Sequence, residues 1–243
     1  MEHHINGGLW LLPSRRRPHN LKRFFSALQN VGTRSQGLVL IQEEDYSSLK
    51  AQYDALYLYP GWRFVITQGN SQGEKLREQA SLYHDAEWVG LIGDDQEPVT
   101  PNWDTKLVAG LKGYNLITCM DDWVFYTPTK FGQANRMAGV LLFSGDLHRT
   151  IGYIFPPNMH HVYLDDVYEE LATKVDFWDI NREVTILHHH ARRSPDRADD
   201  TDRIAYSGDN SYAALDHPHW LWWQRNECDT LAKKIEDLKG KLT

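Results

Sequence analysis

The chain has 243 residues and a formal net charge of −7. It is large enough to bury one substantial core without staples, and its acidity argues against a protein that coats nucleic acid through its overall field. Its apolar runs are all shorter than a membrane-spanning helix, so no membrane insertion is expected. The two cysteines, Cys119 and Cys228, offer neither a disulfide framework nor a thiolate metal motif. With no export signal at the N-terminus, the expected location is a cytoplasm.

In chain order, Gly8 to Leu12 reads as a strand stopped by Pro13, and Pro18 to Gln29 as an amphipathic helix. Leu38 to Gln42 is a second strand, Tyr46 to Tyr57 a helix, and Trp62 to Thr67 a third strand. A Gly-rich loop then leads into a helix near Glu74–Tyr83, and Glu87 to Ile92 is a fourth strand. This alternation predicts an α/β fold with a mostly parallel central sheet flanked by helices. Further on, Leu116 to Cys119, Gly139 to Phe143 and Glu183 to Leu187 read as strands, with Asp104–Leu111 and Tyr163–Thr173 as helices. From Ala191 to Asn210 the composition reads as a loop or lid, and Trp220 to Lys241 as one amphipathic helix. Residues 1–190 thus form the main domain, and 191–243 an extension of it.

Parallel sheets gather ligands beyond the carboxyl ends of their strands. Four polar clusters fall there: the Arg-rich turn Arg15–Arg17, the acids Glu43, Glu44 and Asp45, the Gly-rich loop after Thr67, and Asp94-Asp95-Gln96-Glu97. Adjacent carboxylates oppose joint ionisation unless a cation holds them, and oxygen ligands with an imidazole suit manganese or magnesium. A plain turn and cap explains the same acids. In VTILHHH, strand alternation puts His188 and His190 on one side and His189 on the other. His188 and His190 are therefore candidate ligands, phosphate contacts or surface decoration. Asp165 and Asp166 open a helix, which suits the macrodipole and equally suits a general base. Arg192, Arg193 and Arg197 form a second basic cluster, and Trp220, Trp222 and Trp223 are either core or a stacking platform.

The order of these stretches resembles the GT-A glycosyltransferases, especially the large inverting group that includes cellulose-synthase-like and many bacterial and phage enzymes. The likeness rests on LLPSRRRPHNLKRFFSAL, WVGLIGDDQEPVTPNWD, AGVLLFSGDLHRTIGYI and YLDDVYEEL, which look like the family's first strand and helix, its DxD-type metal motif, its acceptor segment and its base motif. Gln96 stands where that motif has its second Asp, and Asp165-Asp166 replaces Glu-Asp. The resemblance implies a nucleotide-sugar donor, a UDP-sugar by preference, held by Ser14, Arg15, Arg17, Glu43 or Asp45, and Asp94, with Arg193 on a closing loop. It implies a Mn2+ or Mg2+ ion on Asp95, with Glu97, His188 and His190 as further ligands. Asp166 would be the catalytic base, with Asp165 as the fallback, and transfer would invert the sugar. The short, signal-free form resembles phage enzymes that decorate modified pyrimidines in DNA; glycan and glycolipid acceptors are the alternatives. A nucleotide-binding module without transfer, and a metal-dependent hydrolase, are the readings from other classes.

Overall fold

The computed structural model describes residues 7–121, 140–189 and 200–243. Eight strands form one sheet in the order β3-β2-β1-β4-β7-β6-β8-β5. They are β1 (Leu9–Ser14), β2 (Gln36–Gln42), β3 (Trp62–Thr67), β4 (Trp88–Leu91), β5 (Gln96–Pro98), β6 (Leu116–Asp121), β7 (Leu141–Ser144) and β8 (Trp178–His188). Strands β1 to β4 run parallel, β7 is antiparallel to both β4 and β6, and β6 and β8 are again parallel. The crossovers are α1 (Pro18–Val31), then α2 (Glu43–Ser48) with α3 (Lys50–Asp54), then α4 (Gln72–Glu78) with α5 (Ala80–Tyr83). Helices α6 (Trp103–Val108), α7 (Gly145–Ile151), α8 (Leu164–Lys174), α9 (Asp200–Tyr206), α10 (Tyr212–Asn226) and α11 (Cys228–Leu242) complete the described residues.

Strand periodicity divides the core in two. Leu9, Leu11, Leu38 and Leu40 face a cluster filled by Leu76, Leu147, Val167, Leu171 and Ile235 from the helices on that side. Trp10, Leu12, Val39 and Ile41 face the opposite cluster, filled by Leu21, Phe24, Phe25, Leu28 and Trp103. Neighbours in a strand point to opposite faces, and both faces are covered, which is why these strands read as unbroken apolar runs. Three tryptophans lie over glycines on adjacent strands: Trp10 over Gly90, Trp62 over Gly37 and Trp88 over Gly8. A Cβ at Gly90 would stand 2.2 Å from the Trp10 ring.

Several sequence expectations change. Strand β1 passes through Pro13 to Ser14. Leu11 turns its carbonyl to Ile92 on the β4 side, so Pro13, two residues on, faces that side beyond the end of β4, where no donor is missed. The acids Glu43–Asp45 open a short helix, and the expected helix over Tyr46–Tyr57 is two short ones. Gln96–Pro98 is a strand at the sheet edge, and β8 starts at Trp178, five residues earlier than Glu183. Strand β7 runs from Leu141 to Ser144, and Gly145 opens helix α7. The C-terminal helix is a pair, α10 and α11, with α10 starting at Tyr212 behind a Ser211 cap. Of the expected loop 191–210, residues 191–199 lie outside the described residues, as do Gly139, His190 and Arg193.

Candidate active site

The turn after β1 sets the donor-side rim. Arg16 adopts a left-handed backbone (φ 53), uncommon for a residue with a side chain. Its three arginines diverge: Arg17 turns inward to Asp94, Arg15 reaches the Asn70 carbonyl and the Tyr212 hydroxyl, and Arg16 points out towards Asp45. Asp94 is buried and fully engaged by protein. It accepts from the Ser14 hydroxyl (2.6 Å), Arg17 (3.4 Å) and Asn20 (3.4 Å). Burial pushes its carboxyl up, while Arg17 and the Ser14 and Asn20 donors oppose that rise. It joins β1, α1 and the acidic turn as an internal strut.

Lys75, within α4, is only 2% exposed and donates from Nζ to the Ser14 carbonyl at 2.5 Å. Burial pulls its ammonium down to about 8, against the pull of Asp45. Asp45 is buried as well, with Oδ2 lacking a hydrogen-bond partner, and burial pushes its carboxyl up. The loop before α4 is fixed by a reciprocal cap between Ser71 and Glu74, and by Gln42, which donates to the Asn70 side chain. Glu43 stays at the exposed edge, where it accepts from Gln68.

The acidic turn splits its carboxylates. Gln96 holds the Gly93 amide through its side-chain oxygen (2.6 Å), and Asp95 points towards β8. Asp95 Oδ2 lies 3.4 Å from His188 Nε2, and the buried Asp121 Oδ2 lies 2.9 Å from His188 Nδ1. Burial disfavours a charged imidazole here, but the two carboxylates outweigh it and hold His188 up at about 10. Strands β4, β6 and β8 thus deliver Asp95, Asp121 and His188 to one spot. Glu97 does not join them. Its register partner is Leu187, and its carboxylate takes His189 Nε2 (2.8 Å) and Arg23 (3.7 Å). Alternation puts His188 and His189 on opposite faces, so the expected pairing of Glu97 with Asp95 is corrected.

For an octahedral Mn2+ or Mg2+ with bonds of about 2.1 Å, neighbouring ligand atoms are about 3.0 Å apart. The 3.4 Å between Asp95 Oδ2 and His188 Nε2 fits one such corner, and Asp121 behind Nδ1 fixes the ring so that Nε2 faces Asp95. Among the described residues no group of three or more His, Cys, Asp or Glu is placed to hold a metal ion. A two-ligand corner leaves positions for water and phosphate oxygens, which is how magnesium-type ions are commonly held.

Asp165 and Asp166 occupy the first turn of α8. Tyr163, which precedes the helix, is left-handed (φ 68). Burial and the nearby charges of Asp166 and Asp216 push its phenol up. Its ring stacks on Trp220 (6.1 Å, 4°), which stacks on Trp223 (5.5 Å, 16°). Trp223 is core and donates to the Tyr153 hydroxyl, whereas Trp222 is 55% exposed. The cluster is therefore core at one member and surface at another. Lys75, Asp121, Tyr212 and Asp216 were not singled out in the sequence. Asp121 carried a usable signal, an acid closing an apolar strand as at Asp94.

No family model and no curated protein sequence matches the chain. Solved structures do. Glucosyl-3-phosphoglycerate synthase from Mycobacterium tuberculosis, in complex with Mg2+ and UDP, is 14% identical with a TM-score of 0.58, over 87% of this chain and 78% of that one. The same enzyme with Mn2+, UDP and phosphoglyceric acid gives 0.55 at 14%, over 76% and 71%. Mannosyltransferase PcManGT from Pyrobaculum calidifontis, with GDP-Man and Mn2+, gives 0.54 at 11%, over 95% and 73%. The chain has the α/β GT-A fold of these nucleotide-sugar transferases.

Proposed function

We propose that this chain is a divalent-metal-dependent glycosyltransferase that moves a sugar from a nucleotide-sugar donor to an acceptor hydroxyl with inversion. The carrying observation is the meeting of Asp95 and His188 at a distance that suits one ion, on the strand-end rim of a GT-A sheet. That the structural neighbours hold Mn2+ or Mg2+ with UDP or GDP-Man adds support. Asp95 and His188 are the residues to hold the ion. Bound there, it would neutralise charge developing on the leaving diphosphate. Arg15 supplies fixed positive charge at the same rim, and Asp45, itself buried, acts on the donor through the rim it supports, with Arg16 3.8 Å away. Asp94 contributes by holding Ser14 and Arg17 in place. Asp166, with Asp165 as the fallback, takes the proton from the attacking hydroxyl. A single displacement of this kind inverts the anomeric carbon.

For the acceptor, the half-buried Tyr163 and Trp220, stacked on each other at the start of α8, supply flat apolar surface, suited to a sugar or base ring. Hydroxymethylpyrimidine DNA and glycans are the two acceptor classes to separate by assay. No helix among the described residues is long and apolar enough to cross a membrane. The test is UDP or GDP release from a panel of sugar nucleotides with Mn2+, followed by mass spectrometry of each acceptor. Asp166→Asn should abolish sugar transfer and leave donor binding intact. Full transfer by that variant, or retained anomeric configuration in the product, would sink the reading of the base.

A further inference from the structure

Asp216 sits on α10, wholly buried at 0% exposure, and its carboxylate accepts four hydrogen bonds from one short segment. The backbone amides of His160 (2.7 Å), His161 (2.8 Å) and Val162 (2.8 Å) donate to it, and His160 Nδ1 stands 2.8 Å away. One turn earlier on the same helix, Tyr212 stacks on the His160 ring (5.7 Å, 6°) and accepts from Arg15 (3.0 Å). From the other side, Gly73 donates to the His160 carbonyl, and Arg77 donates to the carbonyls of Pro156 and Met159. The segment 156–162 is therefore clamped between α4, which begins at the donor-side loop, and α10. It runs directly into Tyr163 and the first turn of α8, which carries Asp165 and Asp166.

We propose that Asp216 is a positioning residue for group transfer: it fixes segment 160–162 and so sets where the first-turn carboxylates of α8 stand relative to the donor rim. This rests on the glycosyltransferase reading above. A carboxylate accepts three convergent amide N–H groups and an imidazole because it carries lone pairs on both oxygens. An amide in its place turns an N–H2 towards N–H donors and forfeits part of that set. Tyr212 gives the same helix a hold on Arg15, so one element keeps the donor rim and the acceptor-side loop in register.

The test compares wild type with Asp216→Asn and His160→Phe in three measurements: amide hydrogen exchange without ligand, titration with UDP plus Mn2+, and UDP release from UDP-glucose. In Asp216→Asn, exchange across 160–168 should quicken about tenfold or more, since two or more of its anchoring bonds go. UDP affinity should stay within about twofold, while kcat falls about tenfold or more at unchanged KM for UDP-glucose, the split that misplacement of a reacting group gives. His160→Phe keeps the ring stack and all three backbone bonds, and should show the same pattern at lower amplitude; it carries the comparison if Asp216→Asn does not fold. Unchanged exchange across 160–168, or a loss of UDP affinity that matches the loss of turnover, overturns the proposal. A wild-type protein that releases no nucleoside diphosphate from any sugar nucleotide of the panel fails the functional reading and the positioning role with it, while the exchange result still reports whether Asp216 anchors 160–162.

Discussion

His148 gives the sharpest stability prediction. It lies inside α7 at 2% exposure, edge-on to Tyr83, and neither ring nitrogen has a hydrogen-bond partner. Burial, with smaller contributions from His84 and Arg149, pulls its imidazole down from 6.5 to about 4. At ~1.4 kcal/mol per pH unit, this downshift costs about 3 kcal/mol of stability in acid, the full loss being reached once the solution is more acidic than the folded value. The sign follows from which state takes the proton. The unfolded chain protonates first, so none of this cost is felt above about pH 6.5 and it grows as pH falls towards 4. His148→Phe keeps an aromatic ring against Tyr83 and removes two unsatisfied nitrogens. It should therefore match or exceed wild-type stability near neutrality, and fall less steeply on acidification. Urea unfolding of both proteins at several pH values from about 8 down to 4 measures this directly. Parallel profiles for the two proteins across that range would refute the assignment of the acid sensitivity to His148.

Other consequences can be checked by the same unfolding assay. Gly90→Ala drives a methyl group into the Trp10 ring, which packs on Trp88 and Trp103, and should cost about 1–3 kcal/mol as overpacking does; an unchanged midpoint would contradict the close approach. Lys75→Met removes the charged donor to the Ser14 carbonyl and should cost about 2 kcal/mol, with a larger loss at the donor rim, seen as weaker UDP binding. Ser211→Ala deletes the side-chain cap on Ala214 and should cost about 1 kcal/mol, with faster amide exchange at the start of α10.

Leu38–Gln42 was legible as an apolar run because helices cover the sheet on each side. Trp62–Thr67, at the sheet edge with Arg63 and Ile66 exposed, was legible from its aromatic and β-branched residues instead. The first half of β8 was not legible, since Asp179, Asn181, Arg182 and Glu183 break the pattern and the early residues lie half-buried or exposed. Strand β5 is three residues long and contains Pro98, which an edge strand tolerates and a motif reader takes for a turn. A helix start was expected at Trp220, yet the Ser211 cap begins α10 earlier, and Pro218 lies inside the helix.

The site divides in the same way. Strand-end placement was enough to bring Arg15, Arg17, Asp45, Asp94, Asp95 and His188 into consideration, because topology alone puts strand termini on one rim; Ser14 came in through the family resemblance. It could not say that Asp94 would be consumed internally or that Glu97 would turn to His189, since both depend on register and on which side chain reaches which neighbour. Asp216 left no signal. Its partners are backbone amides 54 to 56 residues away, and a backbone donor has no letter in the sequence.

The most direct measurement of the central claim is calorimetric titration of UDP into wild type and Asp95→Asn, each with and without Mn2+. The wild-type protein is expected to bind UDP about tenfold or more tightly when Mn2+ is present, and Asp95→Asn to lose that metal-dependent gain while unfolding at the wild-type midpoint. Equal UDP affinity with and without Mn2+ in the wild type, or a full metal-dependent gain in Asp95→Asn, would contradict a cation seated between Asp95 and His188.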